Sequence, residues 1–141
     1  MGYLRGAERT VRDVMTSDVI SIHPDQTVTE LIGQLADTHV SGLPVIDSRR
    51  RLLGVVSTTD LLSAFAEAGD GEARERLMQQ TARDIMTPRG LVVEPDLELR
   101  EAALQMEYGG VRRLFVEYEG QVVGVISRSD INRVYALGLL N

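Results

Sequence analysis

The sequence predicts an α/β fold made of two tandem β-α-β-β-α repeats, related by a pseudo-twofold axis. Three observations predict it. Arg12-Asp13-Val14-Met15-Thr16 recurs 71 residues later as Arg83-Asp84-Ile85-Met86-Thr87. Gly54-Val55-Val56-Ser57-Thr58-Thr59-Asp60 recurs 70 residues later as Gly124-Val125-Ile126-Ser127-Arg128-Ser129-Asp130. Between these motifs, both copies alternate short β-branched runs with amphipathic helical stretches in the same order.

In the first copy, Val19 to Ile22 reads as a short strand ended by His23-Pro24. Thr27-Val28-Thr29-Glu30 has the capping-box pattern that opens a helix, and Val28, Leu31, Ile32, Leu35 and Ala36 share one face of it. Leu43 to Ile46 and Leu52 to Val56 read as a hairpin across the polar turn Asp47 to Arg51. Ser57-Thr58-Thr59-Asp60 opens a second helix through about Ala68, which Gly69-Asp70-Gly71 breaks.

The second copy runs the same way. Leu91 to Val93 is a strand; Leu99, Ala102, Ala103 and Met106 form a helix face stopped by Gly109-Gly110. Leu114 to Glu117 and Gln121 to Ile126 form a hairpin across Glu119-Gly120, and a last helix runs from Ser129 to about Leu137. The change of shift from 71 to 70 falls in the hairpin turn, where a length change is tolerated. The expected organisation is repeat one over 1–70, a helical linker over 71–80 and repeat two over 81–141. A copy of this size is marginal alone, so the two are expected to fold as one unit.

Composition limits the chemistry. The 141 residues contain no cysteine and no lysine: all fifteen basic residues are arginine. Disulfides, thiolate catalysis, lysine Schiff bases and a Walker-type lysine are therefore excluded. The net charge of −6 argues against a nucleic-acid surface. No run of eighteen apolar residues suggests a membrane span, and the start lacks a signal core and the hydroxyl residue of a myristoylation signal. A cytoplasmic protein is expected.

The repeated junction at Ser57 to Asp60 and Ser127 to Asp130 is the strongest site candidate. A strand ends there and a helix begins, so free amides and the positive end of the helix dipole favour an anion. Ser57, Thr59, Ser127 and Ser129 add hydroxyl donors. Asp60 and Asp130, one turn in, suit two ribose hydroxyls. Phosphate plus ribose implies a nucleotide. The competing reading is a plain helix cap, since Ser-x-x-Asp is also a capping pattern. On spacing alone the cap is favoured, and duplication does not decide, because duplicated helices duplicate their caps.

The order Asp-Val-Met-Thr, helix, Leu43-Pro44-Val45-Ile46-Asp47, then Gly54 to Asp60 resembles the cystathionine-beta-synthase (CBS) domain. Two in tandem resemble a Bateman module, over about residues 11 to 66 and 81 to 137. The resemblance implies two clefts that bind AMP, ADP, ATP, S-adenosylmethionine or a related nucleotide. It assigns phosphate and ribose to Ser57, Thr59 and Asp60 in one cleft and to Ser127, Ser129 and Asp130 in the other. It further implies an adenine pocket lined by Thr16 to Ile20 and Ser21 with His39, Val40, Gly42, Leu43 and Pro44. The counterparts are Thr87, Leu91, Val92, Gly110, Val111, Arg112, Arg113 and Phe115.

The copies differ at these positions. Phe115 replaces Pro44, and Tyr118 replaces Asp47. Arg112, Arg113 and Arg128 stand where copy one has Ser41, Gly42 and Thr58. Arginine forks suit phosphate. Asp13 and Asp84 read as caps or inter-repeat contacts, and Met15 and Met86 as core plugs. Two histidines sixteen apart, without cysteine, make no metal site, so no metal is expected. No nucleophile–base motif appears, and an enzyme is not expected. The reading is a nucleotide sensor that acts in trans on an unidentified protein or as a homodimer. The alternative is a structural dimerisation module with vestigial clefts.

Overall fold

Order along the chain and order in space differ. The protein's structure, a computed structural model, describes residues 9–38, 40–88 and 90–140, with side chains through Leu137. In chain order the elements are α1 (Val11–Val14), α2 (Val28–Thr38), β1 (Gly42–Ile46), β2 (Leu52–Ser57), α3 (Thr58–Ala68), α4 (Glu72–Gln79), α5 (Ala82–Ile85), β3 (Thr87–Pro88), β4 (Val92–Val93), α6 (Leu99–Gly109), β5 (Arg113–Tyr118), β6 (Gln121–Ser127) and α7 (Arg128–Leu140). They form two compact units. The first-repeat unit is Ile20–Gly90; the second-repeat unit joins the chain up to Val19 with the chain from Leu91 on.

These units are not the sequence repeats 1–70 and 81–141, because the Met-Thr segments have changed places. Segment Thr10–Thr16 of copy one packs in the second-repeat unit. There the Val11 and Arg12 amides donate to the Leu97 and Pro95 carbonyls, both at 2.9 Å. Segment Thr81–Thr87 of copy two packs in the first-repeat unit, where the Ala82 and Arg83 amides donate to the Gln26 and Pro24 carbonyls at 2.8 and 3.1 Å. The bonds are equivalent at the 71-residue shift. Each segment also supplies one fully buried residue, Val11 or Ala82, to the core it joins. The linker is helical, as expected, and α4 buries Leu77 in the first-repeat core.

Each unit is a small sheet covered by helices. In the first, β2 lies between β1 and β3 and is antiparallel to both. In the second, β5 is parallel to β4 and antiparallel to β6. Leu43, Val45 and Val56 pack against Val28, Leu31 and Leu35 of α2. Leu114, Val116 and Ile126 pack against Leu99, Ala102 and Met106 of α6. No polar side chain is buried among the described residues.

The hairpins locate the missing residue. In copy one, Asp47 and Arg51 close a three-residue loop, with the Asp47 amide 3.1 Å from the Arg51 carbonyl and Arg50 at φ 64°. In copy two, Tyr118 pairs directly with Gln121, which leaves a two-residue turn. Its residues, Glu119 and Gly120, have φ of 53° and 79°, the left-handed pair that matches strand twist.

The strand expected over Val19 to Ile22 is reduced to a single bridge between Ile22 and Val45. Its reason is Pro44. The Ile22 amide donates to Pro44 O at 2.9 Å and the Ile46 amide donates to Ile22 O at 2.8 Å. The next rung would run from residue 44 to the Ile20 carbonyl, and proline has no N–H to supply it. In copy two that rung exists: the Phe115 amide donates to Leu91 O at 3.0 Å, and β4 forms.

Candidate functional site

Both strand–helix junctions are closed by reciprocal caps. The Ser57 amide donates to Asp60 Oδ2 at 3.2 Å, and the Asp60 amide donates to Ser57 Oγ at 3.1 Å. At the other junction the Ser127 amide donates to Asp130 Oδ2 at 2.9 Å, and the Asp130 amide to Ser127 Oγ at 3.2 Å. The cap reading of Ser-x-x-Asp is therefore correct in both copies. It does not use up the groups. Each cap engages one carboxylate oxygen, and a carboxylate has two. Ser57, Asp60, Ser127 and Asp130 are half-buried, while Thr59 and Ser129 are exposed.

In the first-repeat unit, β1 carries Gly42 opposite Ser57 and Pro44 opposite Val55. On the other edge of β2, Thr87 pairs with Val55. Ser41 O accepts from the Thr58 amide at 2.8 Å and from its hydroxyl at 3.2 Å, which fixes the chain before β1 to the start of α3. Ser21 is half-buried, its carbonyl accepting from Gln34 Nε2 at 2.9 Å, and Ile20 is 50% exposed. This unit thus assembles Ile20, Ser21, Gly42, Pro44, Ser57, Asp60 and Thr87.

In the second-repeat unit, Arg113 lies opposite Ser127 and Phe115 opposite Val125. Thr16 occupies the other edge of β6, exchanging two backbone bonds of 2.9 Å with Val125. The Arg128 amide donates to Arg112 O at 2.8 Å, and its guanidinium reaches Val111 O at 3.4 Å. Arg112 and Arg128 are exposed and Arg113 is half-buried. Gly110 takes the left-handed conformation, φ 63°, that ends α6.

Several expected lining residues are placed differently. Thr16 stands beside the Ser127 strand, and Thr87 beside the Ser57 strand, the reverse of the grouping by repeat. The cause is the exchanged Met-Thr segments. Leu43 is 2% exposed and belongs to the core beneath the sheet, so only its backbone faces the junction. Val40 and Val111 also pack partly against the cores. Leu91 rests on the end of α6, where a methyl on Gly109 would lie 2.7 Å from its Cδ1. His39 lies outside the described residues. Phe115 is buried but stands on the sheet face opposite the core cluster, as Pro44 does in copy one.

Val92 borders a separate open cleft of about 610 Å³ that includes Glu94, Asp96, Gln105, Glu117 and Glu119. Four carboxylates around one cleft repel phosphate, and no hydroxyl of the junction lines it. Among the described residues no group of three or more acidic, histidine or cysteine side chains is placed to hold a metal. No helix among them is long and apolar enough to cross a membrane.

Met86 and Met15 pack against the first- and second-repeat cores, as plugs should; sequence reasoning missed which strand each one crosses. Gly54 and Gly124 mark the points where Met86-Thr87 and Met15-Thr16 cross the strands, at distances that leave no room for a side chain. The recurrence of both glycines at the 70-residue shift was the available signal.

The model of the CBS domain family matches twice, over residues 11–67 and 82–137. The chain belongs to the CBS domain family, as a tandem pair. The CBS domain-containing protein CBSX1, chloroplastic, of Arabidopsis thaliana is 32% identical over 153 residues, covering 92% of this chain and 65% of its own. Inosine-5'-monophosphate dehydrogenase of Methanocaldococcus jannaschii is 30% identical over 126 residues, which cover 89% of this chain but 23% of that enzyme. Thus the pair spans under two thirds of the length of either relative. The crystal structure of CBSX2 in complex with AMP superposes with a TM-score of 0.79 at 32% identity, covering 94% of this chain and 98% of that one.

Proposed function

We propose that this CBS pair binds adenosine nucleotides at the two strand–helix junctions and acts as a regulatory sensor, not as an enzyme. The observation that carries the reading is the doubled junction: a serine and an aspartate at a helix start, each with a carboxylate oxygen that the cap does not use. The likeness to CBSX2, a structure in complex with AMP, supports it. Phosphate would sit at the helix start, where the dipole and hydroxyl donors favour an anion. Asp60 or Asp130 would accept from the ribose hydroxyls.

Adenine would lie against apolar side chains with its edge on backbone groups. In the first-repeat unit the Ile20 carbonyl, which Pro44 cannot pair, is an acceptor suited to the exocyclic amine. A sensor further requires that the nucleotide bind two states of the protein with unequal affinity. The pair would exert this through a protein partner in trans or as a homodimer, in the cytoplasm. AMP, ADP, ATP and S-adenosylmethionine are the candidate ligands, with no metal required.

Titration calorimetry with these four compounds tests the proposal, together with mass spectrometry of small molecules released from the purified protein. Micromolar binding that weakens in Asp60→Ala or Asp130→Ala is the expected result. Silence with every adenosine compound would overturn it. The formed caps favour a second reading, a structural dimerisation module whose clefts are vestigial. Dimers that persist while both aspartate variants leave every ligand response unchanged would select it.

A further inference from the structure

We infer that the two junctions sort nucleotides by phosphate load, the second-repeat junction taking the di- or triphosphate and the first-repeat junction a ligand with one phosphate or none. This inference rests on the nucleotide-binding reading above and goes beyond it by assigning a ligand class to each junction.

The argument is local charge at equivalent positions. At the second-repeat junction, Arg128 is the first residue of α7, directly after the cap residue Ser127. Its guanidinium lies back along the loop that precedes β5, 3.4 Å from Val111 O. Arg112 precedes β5 and is tied to the same place by the 2.8 Å bond from the Arg128 amide to its carbonyl. Arg113 follows, cross-strand from Ser127. Arg133, one turn into α7, stands 3.7 Å from Asp130 Oδ1. Four arginines thus stand at or beside one hydroxyl-and-aspartate junction, and the Arg133 guanidinium faces the Asp130 carboxylate directly.

At the first-repeat junction the same four positions hold Ser41, Gly42, Thr58 and Ser63. Thr58 anchors to the same loop one residue further on, with its neutral hydroxyl 3.2 Å from Ser41 O. Gly42 presents no side chain beside Ser57, and a methyl there would already sit 3.3 Å from Val56 O. Asp60 remains, without an arginine at any of the four positions. One fold therefore presents the same cap in two opposite electrostatic settings.

Each phosphate added to a nucleotide raises its negative charge, and guanidinium forks bind phosphate oxygens in bidentate fashion. A chain of phosphates gains at the second junction from each arginine it reaches. At the first it gains only the helix start and meets the Asp60 carboxylate. The acid-lined cleft near Glu94 and Glu119 does not compete for this ligand, since its charge has the wrong sign.

Variants that silence one junction at a time test the inference in the full chain. Asp60→Ala leaves the second-repeat junction to be read alone, and Asp130→Ala leaves the first. Asp60→Asn and Asp130→Asn serve where alanine unfolds the protein, because an amide oxygen preserves the cap. Calorimetry with ATP and AMP is run at two salt concentrations. In the Asp60 variant, ATP is expected to bind at least tenfold more tightly than AMP, with a preference that shrinks in high salt. Adding Arg112→Ala and Arg128→Ala should erase that preference. In the Asp130 variant, ATP should show no advantage over AMP. Equal affinities at the second junction, or a preference that survives loss of both arginines, overturn the charge sorting while leaving nucleotide binding intact. Absence of binding in the unaltered protein removes the nucleotide reading, and the inference with it.

Discussion

A methyl group on Gly124 would stand 2.6 Å from the Met15 sulfur and 3.0 Å from the Thr16 carbonyl oxygen. The partners are about a hundred residues apart in sequence, and their contact is what seats the Met-Thr segment against β6. Gly54 has the equivalent relation to Met86-Thr87, with a methyl 2.5 Å from Thr87 O and 2.7 Å from the Met86 sulfur.

These distances predict unequal costs. A thioether can swing aside, whereas a strand-paired carbonyl cannot. Gly124→Ala should lose about 1–3 kcal/mol, the usual range for overpacking, and Gly54→Ala should lie at or above the top of it. Urea unfolding reads both as a lower midpoint at constant slope. Met15→Ala added to Gly124→Ala should recover part of the loss. Met86→Ala added to Gly54→Ala should not, since the Thr87 carbonyl remains.

The two junctions allow cap and ligand roles to be separated. Ser57→Ala and Ser127→Ala each remove a cap acceptor and should cost about 1 kcal/mol without any ligand present. Thr59 and Ser129 are exposed. Alanine at either should change stability by less than about 0.5 kcal/mol. Thermal melts check these values. Under the proposed function, Thr59→Ala and Ser129→Ala nonetheless weaken nucleotide binding in calorimetry. If affinity follows only the cap residues, the exposed hydroxyls have no part in the site.

Acid stability follows from two hydrogen-bonded carboxylates, the exposed Asp84 and the half-buried Asp47. The Thr81 amide and hydroxyl, at 3.0 and 3.1 Å, hold Asp84 below the ordinary value of 3.8. The Arg51 amide at 2.9 Å, helped by the Arg51 guanidinium and the Arg49 amide, does the same for Asp47. A carboxyl whose folded pKa is depressed stabilises the fold above its unfolded pKa, and the contribution is lost as pH falls through the folded value. Stability should therefore drop below about pH 4, and the drop should be shallower in Asp84→Asn and Asp47→Asn. Urea midpoints measured across pH 2 to pH 7 in small steps would show it. Variants that track the parent protein throughout would mean these bonds do not persist in solution.

Much of the architecture was legible because periodicity and duplication report local structure directly. Both long helices of each copy, both hairpins and the linker helix stand within a few residues of where the sequence put them. The lost residue fell in the hairpin turn, as the shift implied. What escaped was pairing over distance. Nothing local in Arg12 to Thr16 says whether it packs on its own repeat or on the other, since the copies are nearly alike. Pro44 was visible, but its effect required knowing that its missing N–H faced Ile20. At the candidate site, Ser57, Asp60, Ser127 and Asp130 were found by type and spacing. The sequence leaves cap and ligand roles undivided because both call for the same residues at the same spacing.

The exchanged segments give the last prediction. Val11 is fully buried in a core with Leu99, Leu114 and Ile126, all from the other repeat. Val11→Ala removes two methyl groups there and should cost about 2 kcal/mol, the transfer loss plus a small cavity. By sequence alone the damage belongs to repeat one; by packing it belongs to repeat two. Amide hydrogen exchange distinguishes them. Protection should fall first at Leu114, Val116 and Ile126 of the β5–β6 hairpin, while Leu43, Val45 and Val56 of β1–β2 keep theirs. Leu77→Ala is the converse, since Leu77 packs with Val28 and Val45 in the first-repeat unit, and should loosen β1–β2 before β5–β6. Loss of protection in β1–β2 on Val11→Ala, with β5–β6 untouched, would mean that the Met-Thr segments stay with their own repeats.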